Sequence, residues 1–142
     1  TDVVAALGLI QFERYPEMLA KRKKMIEKMD AAFADINVAV LEHYGKEHAS
    51  SGHLYIVRLL GKTREQTNEV IEKMAERGIA TNVHYKPLPM MTAYKRMGFD
   101  IKNFPNAYHM FENEITLPLN TKMTMEDVNY VIENFADIVK SF

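Results

Sequence analysis

The stretch from residue 54 to residue 85 constrains the fold most strongly, because it contains signals for a strand, a helix and a second strand in succession. Its first part, Leu54–Leu60, is almost entirely apolar and has the length of a strand. Such continuous apolarity indicates a strand that is covered on both faces or nearly so. Gly61 then ends the strand.

The helix that follows is marked at both ends. Thr63 and Gln66 have the spacing of a capping box, in which each side chain accepts a hydrogen bond from the other residue's backbone N–H. Gly78 stands where a residue in the left-handed conformation commonly closes a helix. We therefore predict a helix that ends at about Arg77.

The residues after Gly78 alternate between two sets of side chains as far as Tyr85, which predicts a strand. In such a strand His84 and Tyr85 would point to opposite faces. A strand, a helix and a strand in this order fit a right-handed crossover connection.

The N-terminal region has helical character, but Pro16 lies inside it, and proline is tolerated only in the first turn of a helix. We predict a break near Tyr15 and a second helix at about residues 16–33. Three small residues before the break would permit close packing against another element: Ala5, Ala6 and Gly8.

The remaining elements complete a small sheet. We predict a short strand at 38–41, a helix at 106–113 capped by Asn106, a strand at 115–117 stopped by Pro118, and a last helix capped by Thr124. The fold class is therefore α+β: a mainly antiparallel or mixed sheet of three or four strands with helices packed on one face. We expect a single domain at 1–142, with a long, broken helical region at 1–34 and an α+β core at 53–142.

Composition excludes several classes of function. The 142 residues suffice for one domain with a real core. The net charge of −1 provides no basic patch for nucleic acid or a membrane surface, and no apolar run approaches the ~20 residues that span a bilayer. The absence of cysteine excludes disulfides, thiolate zinc sites and a cysteine nucleophile, and it agrees with a cytoplasmic location.

Few residues suggest a metal site or a phosphate site. The six glycines are scattered and form no phosphate-binding loop. His43, His48 and His53 lie close together in sequence, but no carboxylate or thiolate stands at a recognised ligand spacing. We therefore expect exposed loop histidines and no metal.

His84 and Tyr85 are the remaining candidates, next to the stiff turn Pro87-Leu88-Pro89. Imidazole and phenol groups can hydrogen-bond a sugar hydroxyl or a phosphate. Alternatively, His84 caps the end of a strand and Tyr85 packs its ring in the core. The residues alone leave both interpretations open.

The segment Gly78-Ile-Ala-Thr-Asn-Val-His-Tyr-Lys-Pro-Leu88, followed by Tyr94, resembles the C-terminal region of the DegT/StrS-type sugar aminotransferases. These are pyridoxal phosphate (PLP) enzymes of the aspartate aminotransferase fold. Further stretches resemble the family in the same order: residues 1–11, residues 53–55, residues 117–119 and residues 124–131. The resemblance spans nearly the whole chain.

The resemblance implies amino transfer, usually from glutamate, to a ketone on a nucleotide-linked sugar, within a homodimer. It also implies that PLP is held by a lysine of a large N-terminal domain, which would precede Thr1. No lysine of this sequence lies in the family's lysine motif, so no catalytic residue is carried over. We therefore expect the C-terminal small domain of a larger enzyme, with no cofactor bound and no activity on its own.

Two residues match the family's site. The His-Tyr pair at the rim of the family's substrate pocket matches His84 and Tyr85, which implies a substrate-binding role for both. Many relatives carry histidine after Pro-Leu, where this chain has Pro89, so a second imidazole contact is lost or replaced. Two other interpretations stay open: a stand-alone α+β module that binds a partner through residues 84–95, and a regulatory homologue that keeps cofactor binding without transamination.

Overall fold

The structure is a computed structural model that describes residues 1–142. In chain order its elements are α1 (Asp2–Phe33), β1 (Val38–Val40), β2 (Tyr55–Leu59), α2 (Arg64–Glu76), α3 (Thr92–Arg96), α4 (Pro105–Phe111), β3 (Glu114–Leu117) and α5 (Met125–Lys140). Short 3-10 turns at Leu88–Met90 and Ile101–Asn103 lie on either side of α3. None of the helices combines the length and the apolarity that crossing a membrane requires.

The three strands form one antiparallel sheet with β2 in the middle. In this register Val40 pairs with Val57, and Tyr55 pairs with Leu117. The predicted α+β class and the small sheet are confirmed, and every pairing between the strands is antiparallel.

The core lies on one face of this sheet. Alternate residues of β2, namely Tyr55, Val57 and Leu59, are buried, whereas Ile56 and Arg58 on the other face are half-buried. The long helices pack on the first face through these buried side chains: Met25, Ile26, Met29, Phe33, Val70, Met74, Val128, Val131, Phe135 and Ile138. Helix packing on one face is therefore confirmed, and the other face of β2 is half-buried, which agrees with the expectation of a strand covered on both faces or nearly so.

Helix α1 is continuous, and the break predicted near Tyr15 is wrong. Pro16 lacks the N–H that would bond to the carbonyl of Phe12. Residues 1–17 are all exposed, so water can satisfy that carbonyl and the helix continues through the proline. All the buried residues of α1 follow the proline, and Met25 is the first of them.

The predicted helix ends are mostly correct. Thr63 forms the capping box with Gln66, Thr124 caps α5, and Gly78 adopts the expected positive φ of 72°. Helix α4 begins at Pro105, because proline suits the first helical position, so Asn106 lies inside the helix and is not its cap.

Residues 79–85 do not form the predicted strand. Only Asn82 pairs with the sheet, through a bridge to Thr116 on the outer edge of β3. The two residues exchange backbone hydrogen bonds of 3.1 and 2.8 Å. Because Asn82 runs antiparallel to β3, it runs parallel to β2, so the connection through α2 returns to the same sheet as predicted, with β3 in between.

Neighbouring residues limit this pairing to one bridge. Towards the end of β3 the next partner is Pro118, which has no N–H to donate to a ladder. In the other direction the backbone N–H of His84 donates to Glu114 Oε2 at 3.0 Å, so a side chain replaces the strand carbonyl. The sequence alternation of residues 79–85 therefore does not correspond to a strand.

His43 is buried, with only 2% of its surface exposed, so the expectation of an exposed loop histidine is wrong at this position. Its ring stacks on Tyr55, with centroids 5.8 Å apart and 6° between the planes. Neither ring nitrogen has a hydrogen-bond partner within the chain. Burial lowers the pKa of His43, and the nearby charge of Asp30 offsets part of this effect. His48 and His53 are exposed, as predicted.

Candidate functional site

The candidate site is a cleft of about 290 Å³ between the segment that carries His84 and the end of β3. It is lined by His53, Leu54, Ala80, Thr81, Asn82, His84, Thr116, Leu117, Pro118 and Leu119. The bridge between Asn82 and Thr116 forms the floor on which the two segments meet. His84 therefore lies just beyond the single bridge between the two segments. A longer strand pairing would have closed the cleft at this position.

Two hydrogen bonds hold His84 in the cleft wall, and a third joins the two residues that make them. Its Nδ1 lies 2.9 Å from Thr116 Oγ1, and its backbone N–H donates to Glu114 Oε2 at 3.0 Å. Thr116 Oγ1 in turn donates to Glu114 Oε1 at 2.7 Å. Glu114 thus accepts from both the backbone of His84 and the hydroxyl that contacts its ring.

The partners of His84 come from one face of β3. Glu114 and Thr116 are two residues apart, so their side chains point the same way, opposite to the core face. Both are buried, and Glu114 is only 5% exposed. A buried carboxylate is costly unless it is hydrogen-bonded or paired, and the two donors from His84 and Thr116 supply these bonds.

A second charge lies near this carboxylate. The guanidinium Nη1 of Arg64 donates to the backbone carbonyls of Phe111 and Glu114, at 2.9 and 3.3 Å. Burial lowers the pKa of Arg64, and the charge of Glu114 opposes that change. Arg64 therefore fixes the start of β3 and places a positive charge close to the Glu114 side chain.

Tyr85 differs sharply from His84 in its surroundings. Its side chain is 73% exposed, so the alternative in which it packs in the core is wrong. The two rings meet edge to face with centroids 4.7 Å apart, and the peptide bond that joins the residues is cis. Tyr85 also borders a smaller cleft of about 180 Å³, whose other walls include Ile56 and Met110. The phenol is therefore free to contact a ligand at the rim.

The sequence reasoning named His84 and Tyr85 as candidates but did not single out Glu114 and Thr116, which contact His84. A usable signal was present, because Glu114-Ile-Thr-Leu117 alternates polar and apolar residues. The predicted strand began at Ile115, so Glu114 was left outside it and the shared face of the two polar residues went unseen.

No lysine side chain lines the cleft at His84. A lysine that forms a Schiff base must be deprotonated, which requires an apolar pocket or a neighbouring cation. Every lysine here is exposed or half-buried, and none lines the cleft at His84. The cleft at His84 therefore contains no amine that could form a Schiff base.

Fold and site together define the class of this protein: a small α+β fold with a polar cleft at the edge of its sheet. The model of the DegT/DnrJ/EryC1/StrS aminotransferase family matches residues 1–136. The chain belongs to this family, which confirms the resemblance seen in the sequence.

Solved structures agree with this assignment. A Streptococcus pneumoniae protein assigned as a sugar aminotransferase is 49% identical to the chain, and its PLP form superposes with a TM-score of 0.95 over 99% of the chain. Helicobacter pylori PseC, an aminotransferase involved in the biosynthesis of pseudaminic acid, is 28% identical over 96% of the chain, with a TM-score of 0.83.

Curated relatives agree as well, and the chain matches only part of each. The spore coat polysaccharide biosynthesis protein SpsC of Bacillus subtilis is 31% identical over 98% of this chain. The UDP-4-amino-4,6-dideoxy-N-acetyl-beta-L-altrosamine transaminase of Campylobacter jejuni is 29% identical over 99% of the chain. The chain spans 36% of the length of the first and 37% of the second, so it corresponds to about a third of these relatives.

Proposed function

We propose that this chain is the small domain of a PLP-dependent aminotransferase that acts on a keto-sugar linked to a nucleotide. The observation that carries the proposal is the cleft at His84, in a chain whose relatives are sugar aminotransferases over almost its full length. The cofactor and its lysine would come from a large domain outside these 142 residues. The chain alone would then be inactive.

In this proposal His84 and Tyr85 are the substrate-binding residues. His84 is half-buried and held by two residues of β3, which suits a fixed contact to a sugar group. Tyr85 is exposed beside it and can close over the same ligand. Glutamate as the amino donor, a homodimer and a cytoplasmic location complete the proposal and rest on the family resemblance.

The proposal is tested by segment exchange with the S. pneumoniae relative, because 49% identity and a TM-score of 0.95 make the two segments interchangeable in shape. Residues 1–142 replace the corresponding segment, and each half-reaction is followed by the absorbance of the cofactor. We expect glutamate to convert the cofactor to its amino form. One member of a panel of nucleotide-linked keto-sugars should then convert the cofactor back.

Two variants assign the role of the cleft in this chimera. His84→Ala is expected to slow the sugar half-reaction at least ~10-fold, the loss of about 1.4 kcal/mol of transition-state binding. His48→Ala, a matched change at an exposed loop histidine, leaves it unchanged. Equal rates for both variants would refute the substrate role. A chimera that binds PLP but reacts with no sugar would favour the regulatory alternative.

The inactivity of the isolated chain has a separate test. Titration of the 142-residue protein with PLP is expected to give only the spectrum of free cofactor and of weak adducts spread over many lysines. A specific new absorbance band that one lysine substitution abolishes would contradict this expectation.

A further inference from the structure

The hydrogen bonds around His84 fix the position of the proton on its ring. A threonine hydroxyl carries a single proton, and that of Thr116 is donated to Glu114 Oε1 at 2.7 Å. The contact of 2.9 Å between Thr116 Oγ1 and His84 Nδ1 therefore needs its proton from the ring. Nδ1 carries the hydrogen, and in the neutral ring Nε2 has the free lone pair.

If the hydrogen bond between Thr116 and His84 ran in the opposite direction, the Glu114 carboxylate would lack a donor. If Thr116 donated to His84 Nδ1, Glu114 Oε1 would lose its donor although the residue is 95% removed from solvent. Loss of a partner costs a buried charged acceptor at least as much as it costs a neutral one. An ionised carboxylate can only accept, so the direction of both bonds follows from Glu114.

Nε2 is the ring atom left for a ligand. It makes no hydrogen bond within the chain, and His84 lines the cleft that also contains the unpartnered hydroxyl of Thr81. An acceptor nitrogen attracts a group that carries a hydrogen and disfavours an ionised oxygen, which offers only lone pairs.

We propose that Glu114 and Thr116 are positioning residues that hold His84 in the tautomer with hydrogen on Nδ1, so that Nε2 accepts a hydrogen bond from a hydroxyl or amide of the sugar. The substrate phosphates would then bind elsewhere. The tautomer does not depend on the proposed function, whereas the identity of the ligand group rests on it.

The tautomer is measured directly on the free chain, whose 16.4 kDa mass suits NMR. In protein labelled with nitrogen-15, at a pH where the His84 ring is neutral, we expect Nδ1 to show the signal of a protonated nitrogen and Nε2 that of an unprotonated one. The reverse assignment in the wild-type chain would overturn the proposal.

Four variants separate this relay, the chain of hydrogen bonds from Glu114 through Thr116 to His84, from general packing. Glu114→Gln keeps the shape but can donate to Thr116 through its amide, which turns the hydroxyl towards Nδ1 and should move the ring hydrogen to Nε2. Thr116→Val breaks the relay and should mix the tautomers, while Thr116→Ser restores the wild-type pattern. Thr81→Val removes another hydroxyl from the same cleft and should change nothing. Amide spectra confirm that each variant is folded.

Retention of the wild-type tautomer in Glu114→Gln or Thr116→Val, in a folded protein, would show that the relay does not position the ring. The ligand class is tested with inorganic phosphate, which should leave the Nε2 signal of the wild-type chain unshifted. Protonation of Nε2 by phosphate would overturn the assignment of a donor group.

The segment-exchange chimera supplies the functional readout. There Glu114→Gln should raise KM for the nucleotide-linked sugar at least ~10-fold, and the glutamate half-reaction should keep its rate. An unchanged KM with an inverted tautomer would refute the role in substrate binding and leave the relay intact. A chimera that fails with wild-type residues would instead count against the proposed function.

Discussion

Replacement of His43 by phenylalanine should stabilise the domain at neutral pH. His43 is buried, stacks on Tyr55 and leaves both ring nitrogens without partners. A buried polar atom without a hydrogen bond costs ~1–3 kcal/mol, so two such atoms cost at least ~2 kcal/mol. Phenylalanine keeps the stack but is larger, and its fit costs ~1 kcal/mol. The expected net gain for His43→Phe is therefore ~1 kcal/mol.

The same change should also remove a dependence of stability on pH. Burial lowers the pKa of His43 in the folded chain below its ordinary value of 6.5, and Asp30 offsets only part of this. Between the two values the unfolded chain binds more protons than the folded one, so stability falls as the pH drops below about 6.5. The slope for one proton reaches at most ~1.4 kcal/mol per pH unit.

The other groups with shifted pKa values do not mask this effect. The phenols of Tyr44 and Tyr55 have pKa values raised by burial and by the charge of Asp30, so they stay neutral throughout the acid range. The exposed carboxylates of Glu65 and Asp127 have pKa values lowered by hydrogen bonds at the helix caps, and they titrate at more acid pH.

Urea unfolding at a series of pH values from 7.5 to 5.0 measures both expectations, with the midpoint compared at constant m-value. His53→Gln, at an exposed histidine, is the control and should follow the wild-type curve. Two results would refute the argument from the unpartnered ring nitrogens of His43. One is an equal dependence of stability on pH in His43→Phe and wild type, and the other is a lower stability of His43→Phe at pH 7.

Three further changes test the fold. Phe135→Ala should destabilise the domain by ~3–5 kcal/mol in urea unfolding, because Phe135 is fully buried against the ring of Phe33; a cost below ~1 kcal/mol would contradict this packing. Thr124→Ala should cost ~1 kcal/mol through loss of the cap of α5, and Thr124→Ser should restore most of it. Pro16→Ala should favour the helix locally by up to ~3 kcal/mol and raise amide protection near residue 16; since residues 1–17 are all exposed, the urea midpoint should stay the same.

Features that depend on neighbours in sequence were predictable. The capping box of Thr63 and Gln66 and the positive φ at Gly78 arise from contacts within one turn, so the sequence reveals them. Pro16 misled because its cost depends on solvent at the carbonyl of Phe12, and exposure is set by tertiary packing. The burial of His43 was hidden for the same reason, since Tyr55 is distant in sequence.

The candidate site shows the same division. The resemblance to the family singled out His84 and Tyr85, but it said nothing of what holds them. Thr116 and Glu114 reach His84 only because β3 returns to the bridge at Asn82. Residue type and spacing do not reveal such a contact between distant parts of the chain, even when the sequence shows both of the residues that make it.

The sheet register has a consequence for how this chain folds. Strand β2 pairs with β3 through Tyr55 and Leu117, and the rings of Phe33 and Phe135 meet edge to face, so these contacts connect distant parts of the chain. Closure of such long loops costs entropy before any pairing offsets it, which slows folding. Synthesis proceeds from the N-terminus, so the apolar faces of α1 and β2 leave the ribosome long before their partners. We expect the nascent chain to need protection from aggregation until α5 has emerged.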